Sequence, residues 1–212
     1  MSSPITQEFQ QAPASLPSVA CAEPVLRGML CRALAQRDFS HYLTLFDSHK
    51  RMRPFLELIP SLDDAEYWVL LRSVWISTET TYPHTAEWLA LLQASRPDRE
   101  ALMSPEDREV FDSLPETLTV FRGCDSAAGA RGLSWTTDLE RAVKFAHYSC
   151  GPRRLIFGGR KHYRAFPRVM GGTCEKSDVL AYFNERGEQE IVINPEAVSF
   201  NPVPVWPFDW AS

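Results

Sequence analysis

No two cysteines in this sequence form a Cys-x-x-Cys pair, and the five present (Cys21, Cys31, Cys124, Cys150, Cys174) are odd in number and widely spread. That spacing excludes a zinc ribbon or a dithiol redox pair and fits a reducing compartment. His41, His49, His84, His147 and His162 make no metal-ligand spacing, so no metal is expected. A Gly-rich phosphate loop of the Walker or dinucleotide type is missing, and Cys150 near His147 lacks the pattern that would support a Cys/His hydrolase. Long apolar runs are missing too. None approaches the roughly 20 residues that cross a bilayer, and the N-terminus has neither the basic start nor the apolar stretch of a secretory signal. A cytoplasmic protein with no membrane partner is therefore expected. Positive charge is also short, with 22 Lys and Arg against 27 Asp and Glu, which argues against nucleic-acid binding over the whole surface.

What is present is enough apolar residue, 44% of 212, to bury a core. Residues 1–24 are the exception, being rich in Ser, Pro, Ala and Gln; they read as a disordered tail or as an uncleaved delivery signal. From residue 25 to about 115 apolar residues recur at helical spacing, as in Leu26, Leu30, Ala33 and Leu34, and in Leu62, Ala65, Trp68 and Val69. Ser61 with Asp64, and Ser104-Pro105 with Asp107, are N-cap candidates, because a Ser hydroxyl satisfies an orphan amide and a carboxylate suits the positive helix end. Trp68, Trp75 and Trp88 fall at helical spacing and are assigned to packing. Residues 116–212 change texture. Leu118–Phe121, Leu155–Phe157, Val179–Tyr182 and Ile191–Ile193 read as strands, with one helix opened by a Thr137-Asp138-Leu139-Glu140 capping box. Helices first and strands second give an α+β chain. Residues 201–212 read as an extended cover or a partner-binding tail.

Three pieces of the second half carry chemistry. Arg122 closes an apolar strand and precedes Gly123; a guanidinium there forks onto phosphate or carboxylate or makes a structural ion pair, and the glycine admits a ligand or another backbone. Ser134-Trp135-Thr136-Thr137 is a short strand whose alternation puts the Ser134 and Thr136 hydroxyls on one face and Trp135 on the other. Gly187-Glu188-Gln189-Glu190 runs into Ile191-Val192-Ile193. On an extended segment the two carboxylates would share a side, either as a solvated turn or as a site.

In this order, the three pieces resemble the arginine, serine and glutamate signature of mono-ADP-ribosyltransferases over roughly residues 117–200. The middle motif departs from the usual Ser-Thr-Ser while keeping hydroxyls at both ends. The resemblance implies a helical lobe followed by two packed, mainly antiparallel sheets around a cleft for NAD, which is the substrate. It implies that Arg122 and Gly123 hold NAD, that Ser134 orients the catalytic Glu190, and that Trp135 and Thr136 complete the NAD site. Phe145 would pack on nicotinamide or in the core. Glu188 would hold the acceptor, with Tyr182, Phe183, Asn184 and Arg186 in the loop 178–187 available as contacts. In that family a glutamate two residues before the catalytic one goes with arginine on a protein as the acceptor. A toxin, an effector delivered into a host cell or a phage-type host-modifying enzyme is implied, with an antitoxin or chaperone left open, as is a fold retained only for interaction.

One stretch complicates the choice of acceptor. Between Arg141 and Cys174 stand eight basic residues (Arg141, Lys144, Arg153, Arg154, Arg160, Lys161, Arg164, Arg168) and no acidic one. Their run from Arg153 to Arg168 reads as a solvated face, as help for the pyrophosphate of NAD, or as a contact for RNA or DNA phosphates.

Overall fold

The computed structural model describes residues 16–78, 84–150, 167–185 and 187–204. They form eight α-helices and one six-stranded sheet, so the α+β class holds. None of the described helices is long and apolar enough to cross a membrane. Two compact units divide the chain, one of residues 1–80 with 95–102 and one of residues 81–94 with 103–212. The division therefore groups part of the helical half with the strands.

The first unit contains α1 (Pro17–Ala20), α2 (Pro24–Ala35), α3 (Phe39–Thr44), α4 (Met52–Leu58) and α5 (Asp64–Ser77). Leu30, Leu34, Tyr42, Phe55, Leu71 and Val74 fill its core, and Trp68 and Trp75 are buried there as their spacing predicts. Residues 95–102 are clasped to α5: the Trp68 indole donates to the Pro97 carbonyl at 2.7 Å and Arg96 pairs with Asp64 at 3.1 Å. Two sequence expectations are corrected here. Part of the presumed disordered tail is folded, because Val19 is fully buried and the Ser18 amide donates to Glu57 at 3.0 Å. The cap of α5 is Asp63 rather than Ser61, since the Asp63 carboxylate and Glu66 satisfy each other's amides reciprocally.

The second unit holds α6 (Thr85–Leu92), α7 (Pro105–Ser113), β1 (Thr117–Cys124), β2 (Ser134–Thr136), α8 (Leu139–Cys150), β3 (Arg168–Glu175), β4 (Val179–Phe183), β5 (Glu190–Ile193) and β6 (Ser199–Val203). Trp88 of α6 is buried. Ser104 caps α7 as expected, accepting from the Asp107 amide at 3.1 Å. The order β4-β5-β2-β1-β3-β6 is antiparallel throughout. Strand β3 pairs with β1 from Thr117↔Glu175 to Cys124↔Arg168, and β6 takes up Asn201 to Val203, which the sequence places in a covering tail.

Two packed sheets are not what the described residues form. Their six strands make a single sheet, but its halves β4-β5-β2 and β1-β3-β6 join at one residue pair, Phe121↔Thr136. Leu118, Val120, Trp135, Ile191 and Ile193 fill one face with Phe111 and Leu114, while Ala142, Val143 and Ala146 of α8 cover the other with Val169 and Phe121. Alternation explains the split, since side chains at i and i+2 share a face.

The seat of α8 on β1 depends on Gly123. A Cβ there would lie 2.0 Å from the Ala142 carbonyl oxygen and 2.3 Å from the Ala146 nitrogen, both backbone atoms that cannot swing aside. Gly123→Ala is expected to lower unfolding free energy by about 3 kcal/mol, the upper end for overpacking. Denaturant titration with an unchanged midpoint would show that α8 does not rest on β1 in this way.

Candidate active site

The site forms where the sheet nearly parts. Continuing the β1–β2 register past Phe121↔Thr136 would oppose Arg122 to Trp135 and Gly123 to Ser134, yet neither pair forms. The Arg122 side chain takes the ladder's place: its Nη1 donates to the Ser134 carbonyl and its Nε to the Gly129 carbonyl at 2.7 Å. Planar donors in a fixed fork suit such a bridge. Gly132 leaves room for it, because a Cβ there would stand 2.1 Å from Arg122 Nη2. Burial pulls the guanidinium below its ordinary pKa, and the nearby Cys124, Glu190 and Asp125 favour the charged form.

Glu190 opens β5 directly opposite Thr136 on β2 and Phe183 on β4. A row of paired residues, Phe121, Thr136, Glu190 and Phe183, thus crosses four strands. With neighbours on both sides, the Glu190 backbone is fixed by the ladder.

Glu188 is held differently. Gln189 has φ +48 and Gly187 φ +64, so the segment before Glu190 is not extended, and the expectation that Glu188 and Glu190 share a side by strand alternation does not hold. A left-handed non-glycine residue costs about 1–2 kcal/mol and persists only where neighbours enforce it. Here the Gln189 amide donates to Asn184 Oδ1 at 3.1 Å, the Gly187 amide donates to the Asn184 carbonyl at 2.8 Å, and the Thr136 hydroxyl donates to the Glu188 carbonyl at 3.2 Å. Thr136 also accepts from the Asp138 amide at 3.2 Å. The expected capping box at Thr137 is corrected accordingly. Asp138 caps α8, accepting from Glu140 and Arg141 amides, while the Thr137 hydroxyl points to Gln189 Oε1 at 3.4 Å.

Arg122, Ser134, Thr136, Glu188 and Glu190 are therefore brought to one break in the sheet. Others of the expected site residues serve elsewhere. Trp135 is 2% exposed, its indole donating to the Gly132 carbonyl and its ring against Phe200, so it offers no surface to a ligand. Gly123 is covered by α8, its open side taken by backbone. Tyr182 and Phe183 are buried in β4, which removes them as acceptor contacts; the loop that remains is 184–189. Burial raises the Tyr182 pKa, with the Asp107 charge adding to it and Arg141 opposing. Asn184 is exposed but braces the loop, and Phe145 is 38% exposed on α8. Arg186, residues 153–164 of the basic run and the expected strand at 155–157 lie outside the described residues. Arg168 begins β3, exposed, opposite Cys124.

Sequence reasoning missed Asp107, whose carboxylate accepts from the Asn184 amide at 3.0 Å. The Ser-Pro-x-Asp pattern explained it as a helix-end charge, and a contact this distant in the chain leaves no local signal. Among the described residues no group of three or more His, Cys, Asp or Glu is placed to hold a metal ion. Comparison of the chain with models of protein families, with curated proteins and with solved structures gives no match.

Arg122→Lys keeps the charge but offers one ammonium in place of a fork. Losing a carbonyl bridge at this part-buried position is expected to cost about 1–3 kcal/mol. A variant with the parent's thermal midpoint would deny the brace.

Proposed function

We propose that the chain is an NAD-dependent mono-ADP-ribosyltransferase that modifies arginine on a protein, acting in a cytosol as a toxin, effector or phage-type host-modifying enzyme. The observation that carries this reading is the pair of glutamates beside the sheet break. Glu190 is fixed between two strands within electrostatic range of Arg122, and Glu188 stands two residues earlier on a braced turn. The order arginine, hydroxyl strand, glutamates is the one that the signature of that family carries.

A carboxylate held by the ladder suits a nicotinamide ribose, since it accepts from the 2′-hydroxyl and stabilises positive charge as the glycosidic bond opens. In the step itself, the C1′–N bond of NAD breaks with its electron pair leaving on nicotinamide. A guanidinium nitrogen of the acceptor forms the new bond at C1′, and its proton passes to Glu188 and on to water. The fork geometry of guanidinium with carboxylate favours arginine at Glu188. Arg122 has Nε and one Nη1 hydrogen committed to carbonyls, so its part toward the pyrophosphate is a charge held in place and its remaining donors. Ser134 contributes its carbonyl to that brace and a hydroxyl on the sheet face that it shares with Glu190. Phe145, partly exposed on α8, is available to nicotinamide. Trp135 and Gly123 have no such part.

Glu190→Gln is expected to lower both transfer and NAD hydrolysis about a hundredfold or more while the fold is kept, because the amide has no charge for the sugar cation. Near-parent turnover would remove the centre. Glu188→Gln should lose transfer to arginine yet retain much of the hydrolysis, in which water needs less positioning. Nicotinamide release measured with and without acceptor separates the two, and equal loss would place Glu188 at NAD. Labelled NAD incubated with a lysate identifies the acceptor: label removed by protease supports this reading, label removed by nuclease moves the acceptor to nucleic acid, and absence of label favours a fold kept for interaction.

A further inference from the structure

β4 is an outer strand of the sheet, so alternate amides on one of its sides have no strand to bond. Tyr182 in β4 and Asn184, just past its end, have amides on that side that are satisfied by side chains of the segment that opens α7. The Tyr182 amide donates to Met103 Sδ at 3.4 Å and the Asn184 amide to Asp107 Oδ1 at 3.0 Å. Asp107 is 5% exposed, and its own amide is tied to Ser104. A buried carboxylate persists when it is hydrogen-bonded, and a position in the first turn of a helix favours it further.

The contact has a consequence two bonds away. Asn184 follows the last ladder pair, Phe183↔Glu190, and its side chain and carbonyl close the turn by accepting from the Gln189 and Gly187 amides. Glu188 lies inside that turn, outside any ladder; Glu190 lies inside the ladder, paired on both sides. We infer that Asp107 is a positioning residue for Glu188, acting through Asn184, and that it governs transfer to the acceptor more than cleavage of NAD. This inference rests on the transferase reading above. An edge-strand repair thereby becomes a specificity device, because the helix that protects the sheet margin also sets the left-handed turn that presents the acceptor glutamate.

The test compares Asp107→Ala, which removes the acceptor oxygen, with Asp107→Asn, which keeps one. Transfer is read with L-arginine methyl ester as acceptor, and hydrolysis as nicotinamide release without it. Asp107→Ala is expected to lower the ratio of transfer to hydrolysis about tenfold or more, since a full 1 Å displacement costs up to about a hundredfold in a positioned reaction, and Asp107→Asn should restore most of the ratio. Amide exchange at Gln189, followed by NMR, should quicken about tenfold in Asp107→Ala. If that variant does not fold, Asp107→Glu, which keeps a carboxylate but moves it one methylene away from the Asn184 amide, carries the ratio and the exchange measurement with the same expected directions. A parallel fall of both activities, or unchanged exchange at Gln189, overturns the positioning role and leaves the transferase reading standing. Absence of both activities in the unmodified protein removes the transferase reading and this role with it.

Discussion

A guanidinium standing where two strands should pair is the constraint on which the strand-bearing unit depends. Burying that charge is unfavourable without partners for its donors, and Arg122 meets two of them on the carbonyls of Gly129 and Ser134. Where Arg122 takes the Ser134 carbonyl, β2 has left the β1 ladder after a single pair, and Gly132 must carry no side chain. The sheet is thereby split into halves without losing continuity. Its break is where Ser134, Thr136 and Glu190 come together, so one arginine accounts for both the shape of the sheet and the place of the site.

The two glutamates beside that break are held by different physics. Glu190 inherits the rigidity of a ladder with neighbours on both sides, which is what the proposed transfer asks of a charge that faces a forming cation. Glu188 rides on a turn with a left-handed Gln189, around which Thr136 bonds the Glu188 carbonyl, Asn184 accepts from the Gln189 amide, and Asp107 accepts from the Asn184 amide. The middle hydroxyl strand serves both: Thr136 pairs with Glu190 along the backbone and grips the Glu188 carbonyl with its side chain.

Much of this architecture is legible in the residues. Helical spacing places Trp68, Trp75 and Trp88 in cores, Ser104 and Asp107 mark the start of α7, and alternation puts Trp135 opposite Ser134 and Thr136. Local pattern falls short wherever a partner lies far along the chain. The strand at 168–175 contains Gly171 and Gly172 and reads poorly by itself, yet it pairs on both sides. Tyr182 and Phe183 look like loop contacts because the glutamate motif follows closely, whereas the ladder with β5 buries them. The cap of α8 moves from Thr137 to Asp138 because the hydroxyl next door is spent on the glutamate turn.

The sequence by itself determined the α+β class, the helical character of the first half, and which residues could do chemistry, since periodicity and residue type are local properties. Tertiary structure alone decided that the six strands form one sheet hinged at Phe121↔Thr136, that Arg122 is a brace, and that Glu188 leaves the strand on which Glu190 stays. Each of those outcomes turns on where a polar group finds its partner. A buried donor or acceptor must be satisfied, and whether Asn184 bonds Asp107, or Arg122 bonds Ser134, is settled only when the chain has brought them together.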